Sequence, residues 1–151
     1  TGREVEQPHE IAPAELQRRV LIIGAGPAGM EAARVAALRG HHVTVHEAAP
    51  QAGGQVRLTA LTARRREMIG IIDWRLAQCE KLGVTFKFNS LADEAVIEDE
   101  APDLVIIATG GLPETAIFDG GNDLVVSSWD ILSGERADIR RGGRSGGAPG
   151  G

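Results

Sequence analysis

Gly24-Ala25-Gly26-Pro27-Ala28-Gly29 is a GxGxxG run that follows the apolar segment Val20-Leu21-Ile22-Ile23. Each glycine type at this spacing has its own chemical purpose. Gly24 permits a tight turn out of a strand, and Gly26 leaves the main chain bare where a diphosphate must approach. Gly29 allows a helix to lie close against the strand. Pro27 suits the first helical position, and Ala28 keeps the first turn small. The N–H groups at such a helix start have no intrahelical partners and face an anion. Glu47 stands 18 residues after Gly29, at the end of a second β-rich segment, His42–His46. A carboxylate there accepts hydrogen bonds from ribose hydroxyls and repels a 2′-phosphate, which argues against NADP. A strand–turn–helix with small residues and a solvated glutamate is the plainer alternative for each feature alone.

Two weaker signals follow in order. Gly53-Gly54 follows Glu47 after five intervening residues and supplies a second stretch of bare backbone, with Gln55 next to it. Thr109-Gly110-Gly111 ends the apolar run Leu104–Ala108, where the chain must pass a nucleotide without filling its space.

These residues need elements to position them. Val20–Ile23 is apolar throughout, as a strand buried on both faces must be. Pro27–Arg39 is expected to be a helix stopped by Gly40, and His42–His46 a second strand. Pro50–Thr62 reads as a loop, and Ala63–Leu82 as a long helix ended by Gly83. Val84–Phe88 is expected as a third strand, Leu91–Asp99 with one helical turn, and Leu104–Ala108 as a fourth strand. Val125–Val126 is expected to add a short strand and Trp129–Leu132 a helical turn; another turn is expected around Ala14–Arg18. Alternating strands and helices predict an α/β fold of Rossmann type: a parallel sheet with helices on both faces and strand order 3-2-1-4. Residues 1–19 are expected as a linker and 20–134 as the dinucleotide-binding domain. Residues 135–151, with six glycines among the last ten, are expected as a flexible tail.

Composition narrows the function classes. The chain has 151 residues, enough for one domain of ordinary size. A net charge of −5 carries no basic footprint for nucleic acid. The apolar runs are strand-sized and short of a membrane span. Cys79 is the only cysteine, so neither an internal disulfide nor a cysteine-held cluster is expected. A cytoplasmic location follows as an expectation. His41, His42 and His46 sit on or beside one strand, where neighbours point to opposite faces, so no metal site is expected. Cys79 is expected as an inert surface or half-buried thiol, Arg64-Arg65-Arg66 as a solvated run, and Trp74 and Trp129 as packing residues. No nucleophile–base pair stands out, so no catalytic residue is assigned.

The ordered set GAGPAG, HEAAPQAGGQ and VIIATGG resembles the FAD-binding half of flavoproteins with two dinucleotide domains. Within that group the chain is similar to the C-terminal nucleotide domains of the 2,4-dienoyl-CoA reductase and trimethylamine dehydrogenase family, N-methylproline demethylase-like enzymes included. Gly53-Gly54-Gln55-Val56, Asp73-Trp74-Arg75 before Leu82-Gly83-Val84, and Ser127–Leu132 carry the closer likeness. The resemblance implies an oxidoreductase whose parent holds FMN and substrate in a TIM barrel and an iron–sulfur centre on a cysteine cluster. It implies FAD, or ADP alone, on this part, and a second nucleotide domain inserted beyond it. Cofactor contacts are then expected from Gly24, Gly26, Pro27, Ala28, Gly29, Glu47, Gly54, Gln55, Thr109 and Gly110. A chain lacking barrel and cluster is expected to bind a nucleotide without catalysis of its own. A structural ADP module and a stand-alone NAD-binding domain are the alternatives.

Overall fold

The computed structural model describes residues 10–114 and 125–134. Four strands, β1 (Arg19–Ile23), β2 (His42–His46), β3 (Thr85–Lys87) and β4 (Leu104–Ile107), form one parallel sheet in the order β3-β2-β1-β4. The register sets Ile22 beside Val45 on one side and Ile106 on the other. The expected architecture and strand order are therefore present.

Alternation along the strands divides the side chains between two faces. Val20, Ile22, Val43 and Val45 share one face with buried residues of α1 (Pro27–Leu38) and α3 (Ile69–Lys81): Met30, Ala33, Ala36, Ile72 and Cys79. Burying one Val, Ile or Met side chain fully contributes roughly 1.5–3 kcal/mol, so this layer supplies much of the fold's stability. The small residues of α1 allow its axis to approach the sheet. His46 points to the opposite face, where it meets Glu100 at the end of α4 (Glu94–Glu100). Helices thus lie on both faces.

Where the structure departs from expectation, local charge and capping explain most differences. The predicted loop 50–62 contains a helix, α2 (Gln55–Ala60). The glycine pair marks its start rather than a loop throughout, and Gly54 (φ 51°) is the residue before its first turn. The long helix expected from residue 63 begins at Ile69, preceded by a single 3-10 turn, Arg66–Met68. Three consecutive arginines oppose the positive end of a helix dipole, so the helix starts beyond them. The turn expected in 91–99 is the full helix α4, because Asp93 Oδ1 accepts from Val96 N–H at 3.0 Å and Glu94 suits its first turn. Likewise α5 (Ser128–Ser133) has a capping box: Ser127 Oγ accepts from Asp130 N–H at 3.2 Å, and Asp130 Oδ2 from Ser127 N–H at 3.1 Å. Val125–Val126 forms no strand, and the segment Ala14–Arg18 forms no helical turn. Instead Ala14 N–H donates to Arg39 O at 2.9 Å. Residues 1–9 of the expected linker and the whole expected tail 135–151 lie outside the described residues.

Candidate functional site

The carboxyl ends of the strands open onto a cleft of about 1120 Å³. Its floor is the turn between β1 and α1. Gly24 takes φ 105° and donates its N–H to His46 O at 2.7 Å, tying the turn to β2. A Cβ on Gly24 would stand 2.5 Å from Ala108 O, because the end of β4 passes directly behind it. A Cβ on Gly29 would stand 1.9 Å from Gly24 O, so α1 sits on the turn at a separation only glycine allows. A Cβ on Gly26 would meet no atom within 4 Å, since it would project into open space at the cleft. No side chain caps α1, and Pro27 occupies its first turn. Pro27 has no N–H, so the next amides, Ala28 and Gly29, are the ones helix geometry leaves without intrahelical acceptors.

Glu47 turns back onto this floor. Its Oε2 accepts from Ala25 N–H at 2.7 Å and its Oε1 from Ala49 N–H at 2.9 Å. An ionised carboxylate offers about four acceptor positions, so two remain for another donor. The Glu47 backbone is itself held by β3, its N–H donating to Lys87 O at 3.0 Å.

The later glycine segments close on the same turn. Gly53 (φ 127°) donates its N–H to Ala25 O at 2.8 Å, and a Cβ on Gly54 would lie 3.5 Å from Gly26 Cα. The Arg57 Nε–H reaches back to Ala52 O and fixes this second loop. Gln55 Nε2 donates to Gly111 O at 3.0 Å, which joins the second glycine segment to the third. Of the residues assigned from sequence, Gly24, Gly26, Pro27, Ala28, Glu47, Gly54, Gln55, Thr109 and Gly110 all line the cleft, and only Gly29 stands behind it. Among the lining residues that the sequence reading did not assign are His46, Ala48, Ala49 and Ser90–Ala92, and it placed Trp129 in packing where the structure sets it in the cleft lining. The capping box of α5 marked a helix start beside Trp129 but not its place in the cleft, and nothing local marked the rest.

The remaining candidates lie elsewhere. Cys79 is fully buried rather than at the surface or half-buried; its thiol donates to Met30 O at 3.3 Å, and burial pushes its pKa up. Such a thiol is a poor nucleophile. Trp74 is 52% exposed on α3, with the Arg34 and Arg75 guanidinium carbons 5.8 and 5.9 Å from its ring centre, so it packs against arginines rather than in the core. Arg34 also pairs with Glu31 at 2.7 Å and, by that bond first, holds the Glu31 carboxyl below its usual range. Among the described residues no group of three or more His, Cys, Asp or Glu side chains could hold a metal ion, and no helix is long and apolar enough to cross a membrane.

Comparison with known proteins agrees with this geometry. Residues 1–125 match the family described as pyridine nucleotide-disulphide oxidoreductase. The chain is 64% identical over 135 residues to a probable N-methylproline demethylase of Rhizobium meliloti, covering 89% of this chain and 20% of that protein. It is 49% identical over 143 residues to an N,N-dimethylglycine/sarcosine dehydrogenase of Chromohalobacter salexigens, covering 89% and 21%. Among solved structures, a 2-naphthoyl-CoA reductase superposes with a TM-score of 0.78 at 42% identity over 83% of this chain and 19% of that one. The chain thus spans about a fifth of the length of the curated relatives it matches, which carry further domains. With the glycine-lined cleft and this match over most of its length, the chain belongs to the pyridine nucleotide-disulphide oxidoreductase family, as an FAD-type nucleotide-binding domain of flavoprotein oxidoreductases.

Proposed function

We propose that the cleft holds FAD extended along the strand ends, with residues 20–134 as the binding domain. The observation that carries this reading is the Glu47 carboxylate bonded to the amide of Ala25 at the glycine turn. Diphosphate oxygens approach the bare backbone at Gly26 and take the amide of Ala28, while Gly29 sets the close packing of α1 behind them. The two unused acceptor positions of Glu47 receive the ribose hydroxyls. Gly24 shapes the turn and Pro27 fixes the start of α1. On this reading Gly54 and Gln55 cover the diphosphate, and Thr109 and Gly110 leave room toward the flavin end, with Trp129 also in the cleft lining. Bound flavin supplies two-electron redox chemistry; the chain's own residues bind it, orient it and limit its access to water.

The whole protein, on this reading, is a cytoplasmic oxidoreductase in which this domain passes electrons beside an FMN-bearing TIM barrel, an iron–sulfur centre and a second nucleotide domain. The names of its relatives favour an N-methylated amine as the substrate oxidised. No residue of this chain is assigned to the chemical step. The test is a visible absorption spectrum of the purified chain and of the nucleotide it releases on denaturation. Flavin bands support FAD. A colourless protein releasing ADP supports a structural ADP module, and a chain that takes up NAD but neither FAD nor ADP overturns the proposal.

A further inference from the structure

His46 is buried, 3% exposed, at the end of β2 immediately before Glu47. Its Nε2 lies 3.1 Å from Glu100 Oε1 and its Nδ1 2.8 Å from Ser90 Oγ. Glu100 also meets the Lys87 ammonium, which together with His46 holds its carboxyl below the usual range. An ionised carboxylate only accepts, so whenever the imidazole carries a single hydrogen that hydrogen sits on Nε2, toward Glu100. Nδ1 is then an acceptor, and the Ser90 hydroxyl donates to it.

Ser90 belongs to a segment with few other supports. Asn89 takes φ 53°, the left-handed conformation that asparagine adopts more readily than most residues and that turns the chain out of β3. The segment hangs on the ribose-side strand by two main-chain bonds, Asn89 N–H to Ala49 O at 3.1 Å and Ser90 N–H to Glu47 O at 2.9 Å. Ser90, Leu91 and Ala92 form the cleft wall beyond Glu47, on the side away from Gly110. If diphosphate lies at α1 and ribose at Glu47, the base has this wall to rest on.

We propose that His46 is a positioning residue for the adenine end of the nucleotide, fixing the Ser90–Ala92 wall through the Ser90 hydroxyl. This rests on the assignment of ribose to Glu47. Calorimetric titration of the 151-residue chain with ADP, and with inorganic pyrophosphate as a probe lacking sugar and base, tests it. His46→Asn places an amide oxygen near the position of Nδ1 and keeps an acceptor for Ser90. His46→Gln places an amide nitrogen near the position of Nε2 and keeps a donor to Glu100. Loss of one hydrogen bond at the wall corresponds to a roughly five- to tenfold weaker ADP affinity. That loss is expected for His46→Gln and Ser90→Ala, with His46→Asn within about twofold of the parent chain and pyrophosphate affinity unchanged throughout. Ser90→Ala, at a half-buried position, leaves the buried imidazole in place and keeps the test open should a His46 variant fail to fold.

The reverse order, with Gln tolerated and Asn not, would show that His46 acts through Glu100 and α4, and would overturn the proposal. Equal losses for ADP and pyrophosphate would assign His46 to general folding, with the same consequence. Glu47→Ala separates the two levels. If it leaves ADP affinity unchanged, the ribose assignment fails and this inference with it. If it weakens ADP while the His46 and Ser90 variants do not, only the inference fails.

Discussion

Gly26 and Gly29 belong to one six-residue motif, yet the structure gives them opposite liabilities. In Gly29→Ala the new methyl would lie 1.9 Å from Gly24 O, a backbone atom that cannot swing away. Helix propensity favours alanine over glycine by about 1 kcal/mol, but ordinary contact requires α1 to move off β1 by more than about 1 Å. Overpacking of this kind costs typically 1–3 kcal/mol and occasionally more; with a backbone atom as the obstacle, a net loss of about 2 kcal/mol or greater is expected. In Gly26→Ala the methyl meets nothing within 4 Å, and φ of −71° suits any residue. Alanine caps a helix start less well than glycine, while its stiffer unfolded chain offsets this by about 0.4–1 kcal/mol, so stability should change by no more than about 1 kcal/mol. The same methyl stands where the diphosphate must reach backbone amides. Loss of even one charged hydrogen bond, at about 1.5 kcal/mol or more, lowers ADP affinity at least about tenfold. Urea denaturation and ADP titration of both variants separate the effects. A Gly26→Ala chain that binds ADP as the parent does would refute the placement of the diphosphate. A Gly29→Ala chain of undiminished stability would refute the packing argument.

Glu47→Ala should weaken ADP binding by roughly 1–3 kcal/mol through lost charged hydrogen bonds, read by calorimetry. It should also lower stability, because the amides of Ala25 and Ala49 lose their acceptor. Acid should destabilise the fold in a defined window. Lys87 and His46 depress the Glu100 carboxyl, and Arg34 depresses that of Glu31, from an ordinary 4.5. The stability these groups contribute is fully present above that value and is lost as pH falls through their lower folded-state values. Urea midpoints measured from pH 6 downward should therefore fall less steeply in Glu100→Gln than in the parent chain, and parallel profiles would count against the ion pair.

Sequence alone determined the sheet, its strand order and many of the residues that line the candidate cleft. Buried parallel strands require continuous apolar runs, and a diphosphate site on main-chain amides requires glycines at fixed spacing, so both leave marks in local residue types. Val20–Ile23, the three glycine segments and Glu47 were legible for that reason. Helix starts were less so: α2 was hidden by the glycine pair before it, and the arginines 64–66 displaced the start of α3 through the field of the helix ends. Tertiary structure alone decided that Ser90–Ala92 form a wall of the cleft, that Trp129 joins its lining and that Cys79 is buried. It also turned His46 from one of three histidines on or beside the second strand into a buried link between Ser90 and Glu100. Ser90, His46 and Cys79 carry no periodic or spacing signal, because what joins each to its partner is a hydrogen bond between residues more than 40 positions apart in the chain.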